Sequence, residues 1–127
     1  MFNEIFEPVK AVLIRVQHGE LIEIVMDLST KTSQITEYLG GPATFIGQWP
    51  EHEVVILKCS DPVLDPPMNQ NVLAEPFTQE QVLGSILLIR MDQDAIPRDL
   101  TLEEVLEHKL VLTALIQRTW KQPPCEL

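Results

Sequence analysis

Two helix-like segments in this chain close on glycine and open directly into apolar, β-rich runs. Leu39-Gly40-Gly41 precedes a run through Ala43–Gly47, and Leu83-Gly84 precedes Ser85–Met91 (SILLIRM). Glycine accepts the left-handed backbone that ends a helix, so each junction marks a change from helical to strand periodicity. The second run shows no polar alternation through Ile86–Ile89, which is the pattern of a central strand buried on both faces. These junctions fix an architecture of sheet and helix, and nothing comparable fixes a chemistry.

The same punctuation orders the remaining segments. Val9–Val16 and Leu21–Leu28 read as a β-hairpin closed through His18-Gly19-Glu20. Ile35, Tyr38 and Leu39 share one helix face with Leu28, so a helix is expected over Lys31–Leu39 with Gly40 as its cap. Ala43–Gly47 and Glu53–Cys59 follow as strands around a turn at Trp49-Pro50-Glu51. Phe77–Val82 carries a capping box from Thr78 to Gln81 and a staple from Phe77 to Val82, which predicts a short helix stopped by Gly84. Thr101 with Glu104, Leu100 with Val105, and the breakers Pro123-Pro124 predict a long C-terminal helix over Leu102–Lys121. The fold class expected is therefore α+β, a single domain over residues 1–127. It has a mixed or mostly antiparallel sheet of about five strands, one helix after the first hairpin, and the long C-terminal helix packed on the sheet. An N-terminal arm over 1–8, a Pro-rich loop over 60–76 and a tail over 122–127 complete it.

A chain of 127 residues, 45% hydrophobic, buries a core without disulfide or metal staples. Cys59 and the Pro-flanked Cys125 read as free thiols of a reducing compartment. The N-terminus carries Glu4 and Glu7 where a secretory signal has basic residues, and no apolar run approaches the length of a membrane span. A cytoplasmic protein without membrane contact is expected. The net charge of −10 comes from 19 acidic and 9 basic residues spread evenly along the chain. Such a surface repels phosphates, which argues against direct nucleic-acid binding.

No nucleophile stands beside a base, no ligand set has metal spacing and no glycine loop could cradle a phosphate, so no catalytic, cofactor or metal residues are assigned. His18, His52 and His108 lack helical ligand spacing and read as turn and surface histidines. Asp92-Gln93-Asp94 begins like a calcium loop, but Pro97 occupies the position where that loop needs glycine, so strand-end solvation is the reading. Cys59, at the end of an apolar strand, reads as a small buried hydrophobe.

Contact surfaces are more legible than chemistry. Leu110–Ile116 is apolar in nearly every direction around a helix axis, and such a helix must be covered from more than one side. One sheet covers one side, so a second subunit is expected on the other. This assigns an interface to Leu110, Leu112, Leu115, Ile116 and Trp120 and predicts a homo-oligomer or a protein partner. Met68, Asn69, Gln70 and Asn71 form a second candidate, a loop whose amides either recognise a partner or a small polar ligand or stabilise turns. Trp49 and Trp120 read either as partner anchors or as lids over the core. The leading functional expectation is a non-enzymatic interaction or regulatory protein that self-associates through the apolar helix. Two others stand beside it: an acidic, DNA-mimicking inhibitor of a nucleic-acid-binding protein, and a small-molecule binder or enzyme with the Pro-rich loop as lid.

Four motifs in order carry a family resemblance: Ala11–Val16 (AVLIRV), Tyr38-Leu39-Gly40-Gly41, Pro66–Asn71 (PPMNQN), and Val82–Ile89 followed by Asp92 and Asp94. Over about residues 9–105 the chain resembles a family of small proteins, common in phages and also met in large algal viruses and algae, known as a domain of unknown function. The resemblance implies a small α+β fold and no established activity. Family members often carry basic residues just after the loop asparagine, where this chain has Gln70 and Asn71.

Overall fold

The computed structural model describes residues 7–15, 20–27, 34–60, 68–69 and 71–112. Its strands are β1 (Val9–Ile14), β2 (Leu21–Met26), β3 (Ala43–Trp49), β4 (Val54–Cys59), β5 (Val72–Leu73), β6 (Ile86–Met91), β7 (Pro97–Arg98) and β8 (Val111–Leu112). Two helices, α1 (Gln34–Leu39) and α2 (Leu102–Glu107), have six residues each. The core sheet runs β2-β1-β6-β4-β3, with β7 paired to the end of β6, and β5 pairs with β8 in a separate ribbon. All these pairings are antiparallel.

β6 lies at the centre, and its alternation builds two cores. Ile86 and Leu88 join Val12, Ile14, Ile56, Leu100 and Val105 on the face covered by α2 and the ribbon. Leu87 and Ile89 join Ala11, Leu13, Leu39 and Cys59 on the face covered by α1. Each such side chain withdrawn from water contributes about 1.5–3 kcal/mol, which is why an uninterrupted apolar run settles in the middle strand. Cys59 is buried, as its place at a strand end implies. α1 closes at Gly40, φ 82°, where the N–H groups of Gly40 and Gly41 both donate to the Thr36 carbonyl at 2.8 and 3.1 Å. Lys31–Ser33, the expected first turn of that helix, lie outside the described residues.

The expected α+β class is overturned. Among the described residues the fold is mostly β, eight strands in two sheets with two short α-helices and a single 3-10 turn at Pro50–His52, and the expected long C-terminal helix stops at Glu107. α2 starts as expected: the Thr101 hydroxyl accepts the Glu104 N–H at 3.1 Å, and the Glu104 carboxylate accepts the Thr101 N–H at 3.1 Å. It ends after six residues in a closure that no glycine announces. Lys109 takes φ 53°, its N–H donates to Leu106 at 3.1 Å, and the Leu110 N–H reaches back to Val105 at 3.0 Å. This is a Schellman motif with lysine in the left-handed position, and Leu110 and Val105 supply its usual apolar contact within one buried cluster. Beyond it the chain is a strand. Val111 is buried and Leu112 faces out, so what reads as an all-round apolar helix is here strand alternation. Residues 113–121 of the expected helix, with Leu115, Ile116 and Trp120, lie outside the described residues.

The short helix expected over Phe77–Val82 is also absent. Successive turns take its place: the Phe77 N–H donates to Ala74 at 2.9 Å and the Glu80 N–H to Phe77 at 3.1 Å. Tertiary packing outweighs the local signals here. The Phe77 ring lies edge-on to Trp49, centroids 5.8 Å apart, and covers Gly47 so closely that a methyl group there would overlap it.

Candidate interaction surface

The Pro-rich segment expected to be a loop contains a strand. Of its described residues, Asn69, Asn71 and Leu73 point inward, whereas Met68 and Val72 face out. Gln70 lies outside the described residues. Met68 forms an antiparallel bridge with Leu83, and Val72 pairs with Leu112 while Leu73 pairs with Val111. Cross-strand partners share a face. Met68 (44% exposed), Leu83 (42%), Val72 (39%) and Leu112 (42%) therefore form an outward apolar stripe. Two segments that the sequence singles out separately, the 68–71 loop and the start of the 110–116 run, meet in this ribbon. Leu110 belongs to the core instead, 2% exposed.

The inward amides hold the stripe in place. Asn69 Nδ2 donates to the carbonyls of Ile14 at 3.2 Å and Gly84 at 2.9 Å, tying the ribbon to the end of β1 and the approach to β6. Its Oδ1 accepts the Asn71 N–H at 3.0 Å and Asn71 Nδ2 at 2.9 Å. The orientation of both amides follows from this set. Two carbonyls require the Nδ2 of Asn69, a backbone N–H requires its Oδ1, and Asn71 must then present its own Nδ2 to that Oδ1. Among the described residues Asn71 Oδ1 is consequently left buried without a hydrogen-bond partner. Both side chains are 6% exposed, so the turn-stabilising role is the one visible in the structure.

The other candidates fall elsewhere. Trp49 is buried, with Nε1 donating to the Glu75 carbonyl at 3.0 Å. His52 and His108 come together, ring centroids 4.5 Å apart and planes 36° apart. No sequence spacing signals that pair, because it depends on the turn after β3 meeting the C-terminal end of α2. Beside it, Arg90 donates to the His52 and Asp99 carbonyls and to both oxygens of Glu104, joining β6 to α2. The Thr101 N–H, and after it the Arg90 guanidinium, hold the Glu104 carboxyl below its ordinary pKa. Asp92 does more than solvate a strand end. It accepts N–H bonds from Asp94 and Ile96 and pairs with Arg98 at 2.9 Å, shaping the β6–β7 turn. The Ile96 N–H is the main reason its pKa lies below the usual value. Among the described residues no three His, Cys, Asp or Glu side chains gather as a metal site. Among those residues, too, no helix is long and apolar enough to cross a membrane. His18 and Cys125 lie outside them.

A family model matches residues 12–108, from β1 through the cap of α2. The chain belongs to this family of unknown function, DUF5880. The DUF5880 match takes in the asparagine clamp and the Met68–Leu83 bridge and ends before Leu112. No curated protein and no solved structure matches the chain.

Proposed function

We propose that the protein acts by binding another protein rather than by catalysis, through the stripe of Met68, Val72, Leu83 and Leu112. The observation that supports this reading is the exposed Val72–Leu112 pair, held on a ribbon whose underside is pinned by buried amides. An apolar surface that is already ordered loses little conformational freedom on binding. Because the chain as a whole carries a net charge of −10, the fitting partner is an apolar segment flanked by basic residues. The test places a photo-crosslinking amino acid at Leu112, or at exposed Glu80 as control, in the cells the protein comes from. A discrete adduct at Leu112 that is absent at Glu80 and lost when Val72→Glu is added is the expected result. Equal labelling at both positions, or none at Leu112, would overturn the reading.

A further inference from the structure

Among the described residues the core sheet ends at β2 on one side and β3 on the other, and these two rims are unlike. β3 carries a bulge between Phe45 and Gly47, a break that keeps a rim from templating another strand. β2 keeps an unbroken register with β1, contains no proline, and leaves Val25 61% exposed. Which of its backbone groups face outward follows from hydrogen bonds on the far side of β1. Lys10 donates its N–H to Asp99 at 2.9 Å and accepts from Leu100 at 2.9 Å, and the Ile14 carbonyl accepts from Asn69. Even-numbered residues of β1 thus point away from β2, and odd ones point toward it, as the Arg15 N–H does in reaching Glu20 at 2.7 Å. The bonded pairs are then Val9 with Met26, Ala11 with Ile24 and Leu13 with Ile22, which turns the backbone groups of Leu21, Glu23 and Val25 outward.

We propose that β2 pairs antiparallel with β2 of a second copy, about a two-fold axis at Ile24, making one continuous sheet of two chains. In this register Glu23 of each copy lies opposite Val25 of the other and exchanges both hydrogen bonds with it. Ile24 meets Ile24 and Ile22 meets Met26 on the face that holds Ala11 and Leu13. Axes at the adjacent residues are worse. An axis at Glu23 sets two carboxylates opposite each other, and one at Val25 sets Glu23 opposite Asp27. An axis between residues pairs outward groups with inward ones. The Glu23 carboxylate is already held on the α2 side, accepting the Leu102 N–H at 2.9 Å, so it stays clear of the seam. Because the β3 rim is bulged, pairing closes at two copies rather than running on as a filament.

The test is solution mass across concentration and salt, with three variants. The expected mass is twice the 14.4 kDa chain, with a dissociation constant that falls as salt screens two chains of charge −10. Ile24→Cys oxidises to a disulfide-linked dimer, because the directly opposite pair lies within disulfide reach. Val25→Cys, set on a diagonal of about 7–8 Å, does not. Val25→Pro removes an outward donor, leaves the inward ladder intact and gives a monomer with an unchanged circular dichroism spectrum. Three results would each overturn the proposal: a monomer at every concentration, Ile24→Cys crosslinking no faster than Val25→Cys, or a folded Val25→Pro that is still a dimer. Should Val25→Pro unfold, the cysteine pair decides.

Discussion

Replacing Asn69 by alanine should cost far more than replacing Asn71, although the two are equally buried and bonded to each other. Asn69→Ala takes the donor from the Ile14 and Gly84 carbonyls and the acceptor from the Asn71 N–H and Nδ2. A buried polar group left unpaired costs about 1–3 kcal/mol, and neighbouring losses add incompletely, so about 4 kcal/mol is expected. With an unfolding entropy of about 2.1 cal/mol/K per residue, that loss lowers Tm by about 15 °C in a chain of this length. Asn71→Ala gives up one bond to Asn69 Oδ1 but also removes an acceptor that has no partner among the described residues. Its expected cost is about 1 kcal/mol, or about 4 °C. Asn69→Asp sharpens the comparison, because it keeps the shape yet turns an acceptor toward two carbonyls, and it should be at least as damaging as alanine. Thermal and urea unfolding followed by circular dichroism reads all three. An Asn69→Asp within about 1 kcal/mol of wild type, or an Asn71→Ala as costly as Asn69→Ala, would refute the clamp.

Three further outcomes follow from local geometry. Lys109→Gly, at φ 53°, should raise stability by about 0.5–1 kcal/mol, because glycine occupies the left-handed position without strain; a melt checks it. Gly47→Ala should lose about 1–3 kcal/mol to overlap with the Phe77 ring, and adding Phe77→Leu should recover part of that loss in a double-mutant cycle. The Glu104 pKa is lowered from its ordinary 4.5 by the Thr101 N–H and then Arg90. A depressed carboxyl stabilises the fold above its unfolded pKa and loses that stabilisation as pH falls through the folded value. The Tm gap between wild type and Glu104→Gln should therefore narrow as pH drops below 4.5.

What could be read from the sequence was whatever depends on neighbours along the chain. The hairpin of β1 and β2, the Gly40 cap, the Thr101–Glu104 box and the central place of β6 all rest on residues within a few positions of each other. The C-terminal error has one source: the Schellman closure is made by Lys109, whose type carries no signal for a left-handed backbone, so in the sequence the apolar period runs on without a break. At Phe77–Val82 the local signals are sound, and packing against Trp49 and Gly47 overrides them. The stripe could not be assembled from sequence because Val72 and Leu112 become neighbours only through the ribbon. The asparagines were visible as residues, but their inward direction is set by carbonyls at Ile14 and Gly84, far from them along the chain or across a turn.

Charge separates the two contacts proposed for this molecule. Both use apolar side chains, so substitution alone would not distinguish a partner on the stripe from a second copy on β2 if the two events were coupled. Their electrostatics have opposite signs. A basic-flanked segment is drawn to a chain of charge −10, and that attraction weakens as salt is added. Two such chains repel, and that repulsion weakens with the same salt. A single ionic-strength series on the full chain therefore moves the two equilibria in opposite directions. If both moved the same way, the contacts would not be the independent surfaces that the bulged β3 rim, the unbroken β2 rim and the clamped ribbon imply.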